Sequence, residues 1–362
     1  MVVCIKILKR FDILNMFISI GKIIVTGLFF SVIIPILFVL NLIPIEWTKA
    51  FGYSEDTGLY VYLLECTNKN RNIILWIILI IYAAIVIAII INWVTQNWKE
   101  KLLLIKHSTF EPLSITYEKE QLSDYFTRSL KLDQSLITTN TTINDNKKVL
   151  AHIKSYINKL PKIEKYKRRG YRIGYVGIAH TPLIFMLGYD VGDGNKAVLF
   201  HKYRYEGNDK FQVLSDNTVP VKLTKEEEYP SNKNELSDIL LCIATSFDIT
   251  GDDVSEIRSE NDYFLKYSTE KDFDMIYSSK QVYKYVQEIK TEIGNIEKTH
   301  KIGKIKICIA SSVAFTFALG QAFSKTHDSE VVVFHYQRGN KYPWGINVTA
   351  KKAIFVKIEP KL

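Results

Sequence analysis

The sequence predicts an α/β protein in which an N-terminal transmembrane α-helical hairpin is followed by a pseudo-two-fold pair of α/β lobes. Two long segments near the start, over about residues 23–45 and 72–98, contain no charged residue. The later sequence is more polar and alternates short apolar runs with helical stretches, a pattern typical of α/β organisation. The same order of elements occurs there twice, which indicates an internal repeat. The predicted domains are a hairpin over 1–103, a first lobe over 104–228 and a second lobe over 229–362.

Both uncharged segments have the length of a membrane span. A helix needs about 20 apolar residues to cross the hydrocarbon core, and Pro35 in the first segment is tolerable there. The second segment contains the run NIILWIILIIYAAIVIAIIINW, with tryptophans near its ends as in an interfacial aromatic belt. Lysines and arginines flank the outer ends of the pair, so both termini and the lobes are predicted to be cytoplasmic. Without an intramembrane charge, the hairpin is predicted to be an anchor or one piece of a larger assembly.

Composition and motifs give no support to several chemistries. The net charge is +9, and +7 of it falls after residue 96, which fits an anionic ligand as well as nearby anionic lipid. The four cysteines form no CxxC pair, so neither a zinc site nor a disulfide framework is predicted. Walker A, HExxH and Gly-x-Ser-x-Gly patterns do not occur in the sequence. No catalytic residue, metal ligand or cofactor is therefore predicted.

The repeat is clearest around two Phe-His pairs. The first half reads YRIGYVGIAHTPLIFMLG and then AVLFHKYRYEGN, and the second reads KIKICIASSVAFTFALG and then VVVFHYQRGN. Aligning the Ile-Ala pairs of the two blocks places Gly188 opposite Gly320 after one gap and His201 opposite His335 after two more. A DYF motif precedes each block. Both histidines continue apolar strands, so they are predicted to be buried and structural.

In each half a strand runs into a helix through polar residues, and a glycine follows. Gly188 and Gly320 are predicted to end these helices in the left-handed conformation. The free N–H groups at a helix start bind anions, and ligands of open α/β sheets lie beyond the carboxyl ends of the strands. Capping explains a single Ser or Thr at such a place. Two such starts that face each other would form a composite pocket for a ligand with several phosphates.

The segment KYKRRGYR, residues 165–172, mixes basic and aromatic side chains. Nucleic-acid binding is one interpretation of such a mixture. The segment leads into the amino end of a strand, whereas anions bind at the carboxyl ends. It is therefore interpreted as a patch that faces the membrane or another subunit.

The blocks LLCIATSFDIT and IKICIASSVAFTFALG…VVVFHY…YPWGINV resemble the SAVED domain, most clearly over residues 234–348. That family has two fused CARF-like lobes of Rossmann-like architecture, which agrees with the repeat. The resemblance is weaker over residues 104–224, where no strand clearly matches LLCIATS. SAVED domains sense cyclic oligonucleotides from a partner nucleotidyltransferase in bacterial antiphage defence of the CBASS type, and some are fused to transmembrane helices.

The resemblance implies a TM-SAVED effector, multi-pass in the bacterial inner membrane and not an enzyme. Such a protein would bind a cyclic di- or trinucleotide, assemble into a homo-oligomer or filament, and disrupt the lipid bilayer. No DNA or RNA polymer is expected as a partner. Two alternatives stay open: a membrane-bound nucleotide hydrolase that degrades the signal, and a passive anchored scaffold for protein partners.

The predicted ligand-binding residues lie where strands leave the core. Phosphate donors are expected after the LLCIA strand and at the two helix starts, namely Thr245, Ser246, His180, Thr181, Ser311 and Ser312. Further contacts are expected after the Phe-His strands, from Tyr203, Arg204, Tyr336 and Arg338. Trp344 is expected to stack on a base.

Overall fold

The computed structural model describes residues 71–110, 115–135, 146–194, 196–203, 210–217, 222–230, 236–270, 275–324 and 328–356. The first predicted span, over 23–45, lies outside these residues. The chain divides after Trp98 into two units, residues 1–98 and 99–362.

Helix α1, Arg71–Trp98, is the described part of the first unit and overlaps the second predicted span. Apolar side chains are exposed along it, among them Trp76, Ile80 and Ile91. Among the residues whose side chains the structure describes, which leave gaps along α1, no helix is both long and apolar enough to cross a membrane. The membrane hairpin therefore stays a prediction.

The second unit begins with a five-stranded sheet. Its strands are β1 (Glu100–Ser108), β2 (Tyr125–Asp133), β3 (Arg172–Ile178), β4 (Val198–His201) and β5 (Gln212–Val213). Their order is β2-β1-β3-β4-β5, and all neighbours are parallel except β4 and β5. The helices between them are α2 (Asn146–Ile157), α3 (Leu160–Arg168) and α4 (Thr181–Val191), and a 3₁₀ turn spans Lys119–Leu122.

A seven-stranded sheet follows. Its strands are β6 (Thr224–Glu228), β7 (Asp238–Ala244), β8 (Asp262–Ser268), β9 (Lys304–Ala310), β10 (Glu330–Gln337), β11 (Lys341–Asn347) and β12 (Lys352–Phe355). Their order is β12-β11-β10-β9-β7-β8-β6, with β8, β7, β9 and β10 parallel to one another. Among the described residues of this lobe, two helices occur, α5 (Ser279–Thr299) and α6 (Val313–Gln321). The predicted α/β organisation is confirmed.

The two sheets repeat one arrangement, because the order β2-β1-β3-β4-β5 corresponds to β8-β7-β9-β10-β11. Tyr175 pairs with Leu199 in the first sheet, and Ile307 pairs with Val333 at the corresponding place in the second. His201 and His335 each lie two residues further along, so the alignment of the Phe-His pairs agrees with the strand register. An apolar core that includes side chains of both lobes lies between the sheets and helices.

Strand β1 is the counterpart of the LLCIA strand that the sequence did not reveal. It reads EKLLLIKHS and begins two residues after α1 ends, so its apolar residues look like a continuation of the preceding apolar segment. The predicted boundary at 103/104 falls inside this strand. The predicted boundary at 228/229 follows β6, which pairs with β8 in the second sheet.

The two DYF motifs lie in equivalent strands but at different positions. Leu103 pairs with Arg128 in the first sheet, while Ile239, the equivalent of Leu103, pairs with Tyr263. Tyr263 therefore takes the place of Arg128 and not that of Tyr125. The motif locates the strand correctly, but the match of letters gives the wrong register.

The prediction that Gly188 and Gly320 end their helices is wrong. Both lie inside a helix, and Gly192, with a φ of 70°, follows the end of α4. A Cβ at Gly188 would lie 2.1 Å from the carbonyl oxygen of Phe317, and one at Gly320 would lie 2.3 Å from that of Phe185. The two contacts are reciprocal, since each glycine approaches the residue three before the other. Glycine is required at both positions because α4 and α6 approach each other closely. The reciprocity of the two contacts indicates an approximate two-fold axis between the lobes.

Candidate functional site

Two hydroxyl groups lie side by side at the carboxyl edge of the second sheet. The Thr245 hydroxyl donates a hydrogen bond of 2.6 Å to the hydroxyl of Ser311. Strands β7 and β9 are parallel neighbours, and the backbone N–H groups of Thr245 and Ser246 both donate to Ala310, over 3.0 and 2.9 Å. Thr245 is buried, whereas Ser246 and Ser311 are half-buried. The sheet itself therefore brings together the three predicted donors at this edge.

Ser312 is the N-cap of α6. Its backbone is extended, and its side chain accepts a hydrogen bond of 3.2 Å from the N–H of Phe315. A cap of this kind satisfies only one of the four N–H groups that a helix start leaves without intrahelical partners. The helix dipole and the remaining N–H groups favour an anion at this position, directly beside the Thr245–Ser311 pair.

The first sheet carries a similar pair, in which Thr109 takes the place of Thr245 and its partner, His180, takes the place of Ser312 and not of Ser311. The N–H of Thr109 donates to Ile178, as that of Thr245 donates to Ala310. Its hydroxyl oxygen accepts a hydrogen bond of 2.9 Å from the N–H of His180 and lies 2.7 Å from the ring Nδ1 of that residue. His180 precedes α4 in the way that Ser312 precedes α6, and Thr181 is the first residue of α4.

An aromatic cluster lies where the two lobes meet. The ring of His180 lies 4.8 Å from that of His335 and 5.8 Å from that of Trp344, measured between centroids. Phe110 stacks on His180 at 4.5 Å, and His152 lies 6.1 Å away. The prediction that Trp344 stacks on a base is not tested by these contacts, but its side chain is fully buried.

Several buried nitrogen atoms of this cluster have no hydrogen-bond partner among the described residues. They are Nε1 of Trp344, Nδ1 of His335 and both ring nitrogens of His152. A buried donor or acceptor left unpaired costs about 1–3 kcal/mol. A bound molecule with polar groups would therefore gain hydrogen bonds that the described protein does not make.

Three histidines in or near the cluster, His107, His152 and His335, have pKa values that make them neutral at pH 7. Burial lowers the pKa of His107, His152 and His335 to about 4 in each case. The Nε2 atom of His107 lies 2.8 Å from the side-chain oxygen of Gln134. The side-chain amide of Gln134 in turn donates a hydrogen bond to the carbonyl of His152. Sequence reasoning assigned no role to His107, His152, Gln134, Thr109 or Phe110. A comparison of KLLLIKHST with LLCIATS would have located Thr109.

These pKa shifts predict a loss of stability in mild acid. The folded pKa of about 4 lies below the ordinary value of 6.5, so the unfolded chain takes up protons first as the pH falls. Stability is therefore full above about pH 6.5 and falls toward pH 4, by roughly 2–3 kcal/mol for each fully buried ring. The urea midpoint of unfolding is expected to drop between pH 7 and pH 5, and His107→Gln is expected to reduce that drop. A midpoint that is equal at both pH values would contradict this account.

The contacts described for the remaining predicted residues are with groups other than the hydroxyl pairs. Tyr203 is half-buried, and its ring lies 4.7 Å from that of His201. Tyr336 is exposed and its ring contacts that of Tyr342, and Arg338 is exposed in the turn between β10 and β11. Arg204 lies outside the described residues. The structure therefore joins one group of predicted residues around Thr245 and a second around His180.

Comparison with known proteins places these features in a family. The model of SAVED, the "SMODS-associated and fused to various effectors sensor domain", matches residues 157–348, which is more than half of the chain. A search of curated proteins finds no match.

Solved structures with some similarity include SAVED/CARF-domain receptors. The Cap4 receptor of Acinetobacter baumannii with the cyclic trinucleotide 2'3'3'-cAAA is 15% identical, with a TM-score of 0.44, and the match covers 71% of this chain and 50% of the receptor. The same receptor with 3'3'3'-cAAA is 15% identical, with a TM-score of 0.44, and the match covers 68% of this chain and 51% of the receptor. The Cap4 receptor of Moraxella osloensis is 14% identical, with a TM-score of 0.37, and the match covers 64% of this chain and 48% of the receptor. The matched part is about half of the length of each receptor. On the extent of the family match, the chain belongs to the SAVED family.

Proposed function

We propose that the protein senses a cyclic oligonucleotide at the carboxyl edges of its two lobes. The observation that carries this proposal is a doubled arrangement in which a threonine after one strand is hydrogen-bonded to the short segment that leads from the next strand into a helix, Thr109 with His180 and Thr245 with Ser311. Phosphates are among the anions that helix starts bind. A cyclic oligonucleotide repeats its phosphates around a ring, so its own symmetry matches a site that the protein builds twice.

The cluster between the lobes supplies groups that could recognise the bases. The unpaired nitrogens of Trp344 and His335 offer hydrogen bonds, and the rings around His180 offer stacking surfaces. The family model, which describes a sensor domain, covers the β3–α4 and β9–α6 turns. The positive charge of the chain after residue 96 also favours an anionic ligand.

A binding experiment with the full chain in lipid nanodiscs tests the proposal. The panel contains cyclic di- and trinucleotides, with linear dinucleotides as the control, and the mass of the recovered ligand is measured after incubation. We expect one cyclic ligand to bind and to be recovered intact, while the linear ligands bind at least about tenfold more weakly. A hydrolysed ligand would support the hydrolase alternative, and the lack of any binding would support the scaffold.

We further propose that the bound protein acts as a membrane-anchored antiphage effector and not as an enzyme. In this proposal a partner nucleotidyltransferase supplies the ligand, and two N-terminal spans anchor the chain in the inner membrane with the lobes in the cytoplasm. Support comes from α1, in which no charged residue follows Arg71 and isoleucines are exposed. Contacts between unlike surfaces of successive copies would extend into a filament and bring many hairpins together.

Vesicles that contain the reconstituted full chain and a trapped dye test this second step. The ligand found in the binding experiment is expected to release the dye and to increase the size of the assembly in the membrane. Binding without dye release or assembly would contradict the effector role and leave the sensing role in place.

A further inference from the structure

The region around helix α3 concentrates positive charge that the proposed sensing site does not use. Residues 159–172 contain seven lysines and arginines and a single acidic residue. Five of the seven are exposed, namely Lys159, Lys162, Lys165, Arg168 and Arg169. We call these five residues the basic face.

The fold does not require this charge. His180 and Ser312 are equivalent positions, as are Gly188 and Gly320, and both pairs are separated by 132 residues. The same separation makes residues 291–304 the counterpart of residues 159–172. That counterpart contains three lysines and two glutamates, so it is nearly neutral. The strong positive charge is therefore a property of the first lobe and not of the repeated unit.

Local interactions do not explain the charge either. The helix dipole favours cations in the last turn of α3, where Lys165 and Arg168 lie, but disfavours them at its start, where Lys159 is the N-cap and Lys162 follows. Within the described residues, no member of the basic face makes an ion pair. The neighbouring Lys167, by contrast, lies 3.4 Å from Glu164. These exposed cations repel one another, and a surface of opposite charge would relieve that repulsion.

The basic face lies beside the edge of the sheet at which the chain enters the second unit. Arg172 begins β3 three residues after the end of the basic face and lies 3.4 Å from Glu100, the first residue of β1. This is the amino edge of the parallel sheet, whereas the Thr109 and Thr245 pairs lie at the carboxyl edges. Tyr166 and Tyr171 contact each other edge to face at 5.0 Å at the same place. Basic residues combined with tyrosine are typical of segments at a membrane surface.

We propose that the basic face is a docking surface for anionic phospholipid headgroups, which holds the amino edge of the lobes against the bilayer. This inference rests on the proposed membrane anchor. It gives the lobes a defined orientation, with the sensing edges directed away from the lipid. Lipid fits better than nucleic acid because the basic face is a short surface beside the point where the chain arrives from the apolar segment.

Amine labelling followed by mass spectrometry tests this docking. The full chain is placed in nanodiscs of phosphatidylcholine alone, or of phosphatidylcholine with phosphatidylglycerol, and the labelling rates of individual lysines are compared. Lys159, Lys162 and Lys165 are expected to react at least about threefold more slowly in the anionic discs. Lys280, exposed at the start of α5, is expected to react equally in both. Equal rates for all four lysines would overturn the proposal.

A charge-reversal variant and a matched control sharpen the test. The variant K162E/K165E/R168E is expected to abolish the slowing at Lys159, whereas K280E/K284E, which reverses exposed charges on α5, is expected to retain it. Slowing that persists in the first variant would overturn the proposal, as would slowing by RNA alone without lipid. The membrane anchor is tested separately, by whether the chain stays in nanodiscs of phosphatidylcholine alone. A chain that stays in these discs but shows equal labelling in both kinds of disc would refute only the docking surface.

Discussion

Replacing either Gly188 or Gly320 with alanine is expected to lower the free energy of unfolding by roughly 3 kcal/mol or more. The added methyl group would lie 2.1 or 2.3 Å from a backbone carbonyl oxygen of the other helix, so α4 and α6 would have to move apart. Backbone cannot rotate away from such a contact as a flexible side chain can. Because the two helices lie between the lobes, their separation would disturb the packing of both. Urea unfolding of the full chain in detergent measures the effect.

Gly294→Ala is the matched control. Gly294 lies inside α5, and a Cβ added there meets no atom within 4 Å. Alanine is a better helix former than glycine, so this variant is expected to be more stable by about 0.5–1 kcal/mol. Gly188 and Gly320 lie at the same crossing of α4 and α6, so their substitutions are not independent. The double variant is therefore expected to lose less stability than the sum of the two single losses. Stability of Gly188→Ala equal to that of Gly294→Ala would contradict the close approach.

The combination Thr245→Val and Ser311→Ala is expected to weaken binding of the cyclic oligonucleotide roughly tenfold to a hundredfold. A hydrogen bond to a charged group contributes about 1.5–3 kcal/mol. The Thr245 hydroxyl donates to Ser311 over 2.6 Å, so the pair can donate one such bond to a phosphate, from Ser311. Thr109→Val is expected to act in the same direction at the other lobe. Titration calorimetry with the full chain measures the change in affinity.

The two N-caps offer a control that separates stability from binding. Ser312 caps α6 at the proposed site, and Ser278 caps α5 and is fully buried. Each change to alanine is expected to cost about 1 kcal/mol of stability. Only Ser312→Ala is expected to weaken ligand binding as well. Equal affinity for the two variants would indicate that the start of α6 does not touch the ligand.

The repeat could be predicted because it is written in local patterns. The strand that runs into a polar helix start, and the Phe-His strand after it, have the same short-range signature in both halves, and the strand order agrees with it. Strand β1 escaped because its apolar residues follow the apolar segment almost without interruption. The register of the DYF strands escaped because hydrogen-bond pairing sets it, and the motif does not.

The details of the site depend on contacts between distant parts of the chain. Gly188 looks like a helix terminator in the sequence because its partner, Phe317, belongs to the other lobe. The local sequence correctly indicated that Thr245 and Ser311 follow strands, but it did not indicate that their hydroxyls are hydrogen-bonded to each other. The contact between the rings of His335 and His180 arises only when the two lobes meet.

Hydrogen–deuterium exchange of the full chain with and without the bound cyclic oligonucleotide tests the central claim most directly. The sensing account predicts slower exchange at the carboxyl edges of both lobes, over residues 107–110, 179–183, 244–247 and 310–314. It predicts no ligand effect at the amino edge, over residues 295–304. Protection confined to the amino edge, or to one lobe alone, would contradict a site built from the two equivalent helix starts.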